Sequence, residues 1–301
     1  MSPTLLVGTD GGLVALSEGG TRTVLGDPVS AIAAGDGALW AIANGSRILR
    51  SEDGESWEAV AALEQHDPTC LLPADGGLLV GSSEAHLYRL SDSAPEQVDG
   101  FERIEGRDQW YTPWGGPPAT RSLSRDASGA LYANVHVGGI PKSEDGGGSW
   151  TPTLEVRADA HEVRAVPERP GRVLSATAMG LAESRDGGET WAFRAEGLRS
   201  SYSRAVAVLG ETLFLTASDG PWGGHAAVYR RPLDSEEPLE RCREGLPEWF
   251  EDNIDSGCLD AAAEGVAFGT AAGEVYASTD GGASWAAVAT GLGPVSCLLA
   301  H

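Results

Sequence analysis

The chain is poor in several things that would direct function elsewhere. It has one lysine, Lys142, among 21 cations; the rest are arginine. With 44 acidic residues the formal net charge is −23, so a phosphate backbone or an anionic membrane surface meets repulsion. Nucleic acid and membrane are excluded as expected partners. No run of about 18 apolar residues occurs, which excludes a spanning helix. The first residues, MSPTLLVGTDGG, carry neither a basic n-region nor an apolar h-region, so a cytoplasmic protein is expected. The four cysteines form no C-x-x-C pair; Cys70, Cys258 and Cys297 lie in short apolar stretches and Cys242 in a polar one. They are expected to be small buried hydrophobes rather than a zinc or redox motif. The preference for Arg over Lys, with much Ala and Gly, matches a high-GC bacterial coding bias.

Glycine, by contrast, is abundant, with 41 residues, and it is placed periodically. The string SEDGGGSW at 143–150 recurs as SEDGESW at 51–57, SRDGGETW at 184–191 and STDGGASW at 278–285. Its tryptophans, Trp57, Trp150, Trp191 and Trp285, stand 93, 41 and 94 residues apart, so the long gaps are two short ones. A period in this range with strand-like content predicts propeller blades. Apolar first strands are expected at 29–34, 69–74, 120–125, 163–168, 203–208, 256–261 and 295–300. Second strands are expected at 38–43, 78–82, 131–136, 173–178, 213–217 and 266–271. The seventh second strand, 4–9, lies at the opposite end of the chain from the unpartnered first strand 295–300. The expectation is therefore one all-β domain over 1–301, a seven-bladed β-propeller of four-stranded antiparallel blades. Strands within 4–24 and the strand 295–300 share a blade and close the ring, which removes exposed sheet edges. No long amphipathic helix is expected.

These four strings resemble the Asp-box, or BNR-repeat, propeller families, among them sialidases, xyloglucan-type glycosidases, sortilin-like receptors and photosystem II assembly factors. The resemblance covers the whole chain. It implies the fold and leaves activity open, because one fold hosts many functions. The X-R-I-P motif of bacterial sialidases is absent; FERIE at 101–105 does not match it. The motif residues Asp53, Trp57, Asp145, Trp150, Asp186, Trp191, Asp280 and Trp285 are expected to be structural. The Asp accepts hydrogen bonds from its own turn, glycines supply positive φ, and the Trp wedges between sheets. The string lacks the alternating oxygen ligands and twelfth-position Glu of an EF-hand calcium loop.

Alternating strand direction puts this motif on one face of the disc. Loops joining second to third strands, and links between blades, fall on the other, where ligand sites belong. The polar and aromatic load there is one-sided, on blades 4 to 6. His136, His161, Asp219 and Asp255 are the candidate catalytic residues, since imidazoles and carboxylates transfer protons. Trp110, Tyr111, Trp114, Arg121, Arg164, Tyr202, Arg204, Trp222, His225, Asp252 and Asn253 are the candidate substrate-binding residues. Arg121, Arg164 and Arg204 are read as one register of three successive inner strands, an anion clamp. No cofactor is required by the sequence; a divalent metal is left open, with His136, His161, His225 and Asp159 as its ligands. His66 and His86 read as ordinary surface-loop and strand-start residues. The expected function is binding of a small polar or acidic molecule, sugar-like or carboxylate, by a monomer with hydrolase or lyase activity of glycosidase type. The alternatives are a non-catalytic scaffold with a protein partner and a metal-dependent enzyme using the same face.

Overall fold

The computed structural model describes residues 5–17, 19–74, 77–91, 94–262 and 265–301. Its strands form seven four-stranded antiparallel sheets. Blade 1 is built from Leu5–Thr9, Gly12–Ser17 and Gly20–Leu25, with Val295–Ala300 as its innermost strand. Leu5 pairs with Ala300 and Val7 with Leu298, so the two ends of the chain complete one sheet and the ring closes. Thr4, expected in the same strand, lies outside the described residues.

Each blade sandwiches its second strand between two neighbours. Leu131–Val135 and Val173–Thr177 are buried at every residue, whereas the outermost strand Ala286–Ala289 is exposed or partly so. Burial on both faces explains why second strands read as continuous apolar runs. Close approach of blades needs a small residue there. A Cβ on Gly8 would stand 2.9 Å from Val29 O of the next blade and one on Gly269 2.4 Å from Val295 Cγ1. Among the described residues, helical structure is confined to Asp99–Glu102 and the 3-10 turns Arg107–Gln109 and Val156–Ala158. No helix among the described residues is long and apolar enough to cross a membrane.

The repeated turn is held by its own side chains. Asp145 Oδ1 accepts from Ser149 N at 2.9 Å, Oδ2 accepts from Ser149 Oγ at 2.7 Å, and Ser143 Oγ accepts from Gly147 N at 2.8 Å. Asp53, Asp186 and Asp280 repeat the pattern with Ser56, Thr190 and Ser284. Their carboxylate oxygens are thus occupied by turn donors. Trp57 and Trp150 donate Nε1–H to Gly54 O and Gly147 O at 3.3 and 3.2 Å; Trp191 and Trp285 find no such carbonyl.

One expected register is corrected. The inner strand of blade 5 is Ala160–Ala165, not 163–168. On three successive inner strands a bulge interrupts pairing to the second strand, between Thr120 and Ser122, between Ala160 and Glu162, and between Ser203 and Val206. Arg121, His161 and Arg204 therefore share one position. Arg164 corresponds to Ser124 and lies deeper in the channel.

Candidate functional site

The bulged residues ring the channel mouth on the face opposite the repeated turns. The mouth is a cavity of about 430 Å³ lined by Arg121, Arg204, Asp255, Ser256, Ala119, Pro68, Thr69 and Ser30. Beneath it the channel narrows to about 270 Å³, with Glu162, Arg164 and Asp260 on its wall. A larger cleft of about 1000 Å³ lies between blades 1 and 2 at the turn end, next to the Arg22–Glu55 ion pair. Its lining is copied turn plus a self-satisfied ion pair, so it lacks the unpaired groups found at the mouth.

At the mouth three side chains from two blades converge. His136 follows the second strand of blade 4, and its backbone N–H is anchored on Ala119 O at 2.9 Å. Asp159 ends the Val156–Ala158 turn in a left-handed conformation, φ 49°. His161 is the bulged residue of the strand that follows. His136 Nε2 stands 3.4 Å from Asp159 Oδ1 and His161 Nε2 3.7 Å from Asp159 Oδ2. Both imidazoles are fully buried, and the Asp159 side chain is 28% exposed. Val137, beside His136, also has positive φ, 51°, which is strained for a β-branched residue.

Aromatic rings frame the cluster. Trp114 lies over His136, ring centroids 5.2 Å apart, although 68% of it is exposed. Tyr202 packs on His161 at 4.8 Å and carries the Arg204 guanidinium over its other side at 5.6 Å. Arg204 Nε donates to Asp255 Oδ1 at 2.6 Å. Arg121 has no hydrogen-bond or ion-pair partner among the described residues. Burial, then Arg204, holds its pKa below the usual guanidinium value.

Protonation follows from these surroundings. Burial, then Arg121, pushes the His136 imidazole down to about 3. Such a ring is neutral and a weak base, far from the near-neutral value a proton-transfer catalyst needs. Burial would raise the Asp159 carboxyl, but the two imidazoles and Arg121 outweigh it and the pKa is lowered. Deeper down, burial raises Glu162 to about 7 against the pull of Arg164. Arg164 bridges Glu162 at 3.3 Å and Asp260 at 3.4 Å. It is spent on these carboxylates and is not part of a clamp with Arg121 and Arg204.

Other expected site residues go elsewhere. His225 Nδ1 bonds Asp219 Oδ2 at 2.6 Å, and Arg199 bonds the other oxygen at 3.2 Å, beside Trp249. That bond to His225, then Arg199, lowers the Asp219 pKa, the reverse of what a general acid requires. His225 also lies outside the group of donor atoms formed by His136, Asp159 and His161, so it is not one of that set. Asn253 Nδ2 donates to Gly220 O and Pro221 O at 3.3 and 3.1 Å and staples that loop. Asp252 is exposed, and Trp222 is 94% exposed at the loop tip. Trp110 packs inward on Phe101 and under Arg107, so it supports the arm that presents Tyr111 and Trp114.

Sequence reading passed over two features. Asn134, fully buried, donates Nδ2–H to Ala160 O at 2.8 Å and so fixes the backbone between Asp159 and His161. His66 and His86 are not ordinary surface residues: they stack at 4.1 Å beside Glu84 on blade 3 of the same face. Their position, one in a blade link and one in a second-to-third-strand loop, is the signal that marked blades 4 to 6.

Neither a protein-family model nor a curated protein matches the sequence. Solved structures do. The WD40 repeats of RRP9 align with TM-score 0.66 and 15% identity, over 94% of this chain and 87% of that one. YCF48 bound to a D1 peptide aligns with TM-score 0.62 and 16% identity, over 89% and 86%. The GH74 xyloglucanase from Xanthomonas campestris aligns with TM-score 0.62 and 17% identity, over 93% of this chain and 46% of that one. Against an ancestral GH74 enzyme the covered share of that chain is 36%. The chain thus spans less than half of either GH74 enzyme. At such identities the likeness establishes the β-propeller fold alone, and the neighbours range from GH74 enzymes to WD40 repeats and a peptide-bound propeller.

Proposed function

We propose that this propeller binds a small anionic molecule, bearing a carboxylate or a phosphate, at the channel mouth on blades 4 to 6. The observation that carries the reading is Arg121, a guanidinium lining the mouth without a hydrogen-bond or ion-pair partner among the described residues, with Arg204 beside it. Asp159 and Asp255 act on this half-buried cation only from a distance, without a hydrogen bond, so a directly bound anion adds compensation that the fold leaves out. Two guanidiniums at one mouth also focus a local positive field on a chain of net charge −23. Planar, forked donors suit carboxylate and phosphate oxygens. Trp114 and Tyr202 supply flat walls for the body of the ligand. The glycosidase-type hydrolase or lyase reading gets no proton-transfer catalyst from His136 or Asp219, so binding of the anion is the function proposed. We place the protein, as a monomer, in a reducing, cytoplasmic compartment, which its four free buried cysteines suit.

The test is a calorimetric titration of chelator-treated, dialysed protein with inorganic phosphate and with malonate, succinate and citrate, each in a cationic buffer. At least one is expected to bind, and Arg121→Met to weaken it about 10- to 100-fold, the scale of a lost charge-assisted bond. Absence of binding across the series, with the protein folded, overturns the reading. A protein-binding scaffold has one observation of its own, the exposed Trp222 and Tyr111 on the same face. In that case Trp222→Ala, and not Arg121→Met, removes partner binding.

A further inference from the structure

His136, Asp159 and His161 point at one another without bonding. The Nε2-to-carboxylate separations of 3.4 and 3.7 Å are too long for hydrogen bonds. His161 Nε2 and Asp159 Oδ1 are buried with no partner among the described residues, which folded proteins rarely tolerate. The three donor atoms lie within 4.8 Å of one another. Ligands held about 2.0–2.2 Å from one ion at tetrahedral or octahedral angles stand roughly 3–3.5 Å apart; the 3.4 Å separation fits a shared ion, and the 3.7 Å one needs to close by a few tenths of an ångström.

The tautomer agrees. His161 Nδ1 lies 2.6 Å from Ser203 O. A carbonyl accepts only from an N–H, so Nδ1 carries the proton and Nε2 offers its lone pair to the cluster. A ligating histidine is oriented this way by an outer carbonyl. Asn134 braces the connecting backbone from the next blade.

We propose that His136 Nε2, His161 Nε2 and the Asp159 carboxylate hold a divalent transition-metal ion at the channel mouth. Two imidazoles and one carboxylate on one side of an ion suit zinc, iron(II) or cobalt(II) and leave positions open. The open side is the one from which Asp159 is reached, beside Arg121. The metal site stands on its three ligands alone. That its open position receives the clamped anion rests on the anion-binding reading above. The His66–Glu84–His86 cluster is the weaker candidate: His66 Nδ1 is taken by the Tyr88 hydroxyl, His86 Nδ1 by Glu102, and Glu84 is 58% exposed.

The test uses the metal alone. Chelator-treated, dialysed protein is titrated with Zn²⁺ by calorimetry and with Co²⁺ by visible absorption, without any organic anion. One equivalent of each is expected to bind. Asp159→Asn and His136→Gln are expected to weaken binding by more than about 100-fold, a ligand being worth more than an outer-shell partner; His66→Gln leaves it unchanged. Thermal melts check that each variant folds, and the partly exposed Asp159→Asn carries the test if His136→Gln does not. Failure of the folded wild type to bind either ion overturns the proposal, as does binding that survives both ligand substitutions or is lost with His66→Gln. Because the phosphate and carboxylate titrations use metal-free protein, either reading can fail without the other.

Discussion

His161 occupies on the inner strand of blade 5 the bulged position that Arg121 occupies on blade 4, and Arg204 repeats it on blade 6. A bulge leaves one residue out of the ladder and re-aims its side chain. Three successive bulges thus bring cation, imidazole and cation to one rim, with the Asp159 carboxylate arriving from the preceding link. This juxtaposition of two guanidiniums and a nitrogen–oxygen donor set is the chemical character of the mouth.

Arg204 shares its charge with Asp255, whose side chain is 53% exposed. Asp255→Asn removes that competitor while keeping a similar shape. Affinity for the mouth anion is expected to rise roughly 2- to 5-fold, the scale of an exposed ion pair, whereas Arg204→Met lowers it. Calorimetry with the best-binding anion of the phosphate and carboxylate series checks both signs.

Asn134 touches neither ligand atom, yet it holds the backbone that carries Asp159 and His161. Asn134→Ala is expected to reduce Zn²⁺ affinity about 10-fold, as outer-shell changes do. It is also expected to destabilise the fold by about 1–3 kcal/mol, because Ala160 O loses its buried donor. A purely structural Asn134 gives the stability loss with unchanged Zn²⁺ affinity in the folded variant.

The repeated turn has an acid signature. The bonds from Ser149, then Ser143, hold Asp145 down at about 2. A carboxyl depressed in the folded state contributes stability above its unfolded value near 4, and that contribution is lost as pH falls through 4 toward 2. Asp145→Asn is expected to melt below the wild type at pH 6 and to converge with it by about pH 2. Ser143 is buried and bridges Asp145 to Gly147 N. Ser143→Ala is expected to cost about 1–2 kcal/mol at pH 6, since Gly147 N–H is left unpaired, and the part owed to the lost bond to Asp145 fades as pH falls toward 2.

All four cysteines are buried and free. Burial pushes Cys70 and Cys297 up to about 12 and Cys242 up to about 11. Thiolate is the reactive form, so native protein is expected to show no thiol titre with a disulfide reagent at pH 8 and four thiols after denaturation. A fast-reacting thiol in the native state contradicts this.

Sequence alone determined the seven-bladed ring, the pairing of its two ends and the division into a copied face and an irregular one. The physical reason is locality. Ser143, Asp145, Gly147 and Trp150 bond within one turn, so the turn is written wherever it occurs and measures the blades. The same locality left His136, Asp159 and His161 legible as residues of one face. What lay beyond it was contact between blades. The bulges placed His161, not Arg164, beside Arg121, and the string VRA at 163–165 carries no mark of that shift. His225 was withdrawn by a hydrogen bond to Asp219 inside its own loop. Asp260 claimed Arg164 from another blade, beside Glu162 of its own strand, and Asn134 became a brace only because blade 5 lies against it. Which polar groups find partners among the described residues and which do not is settled by packing between blades, and tertiary structure alone decided it.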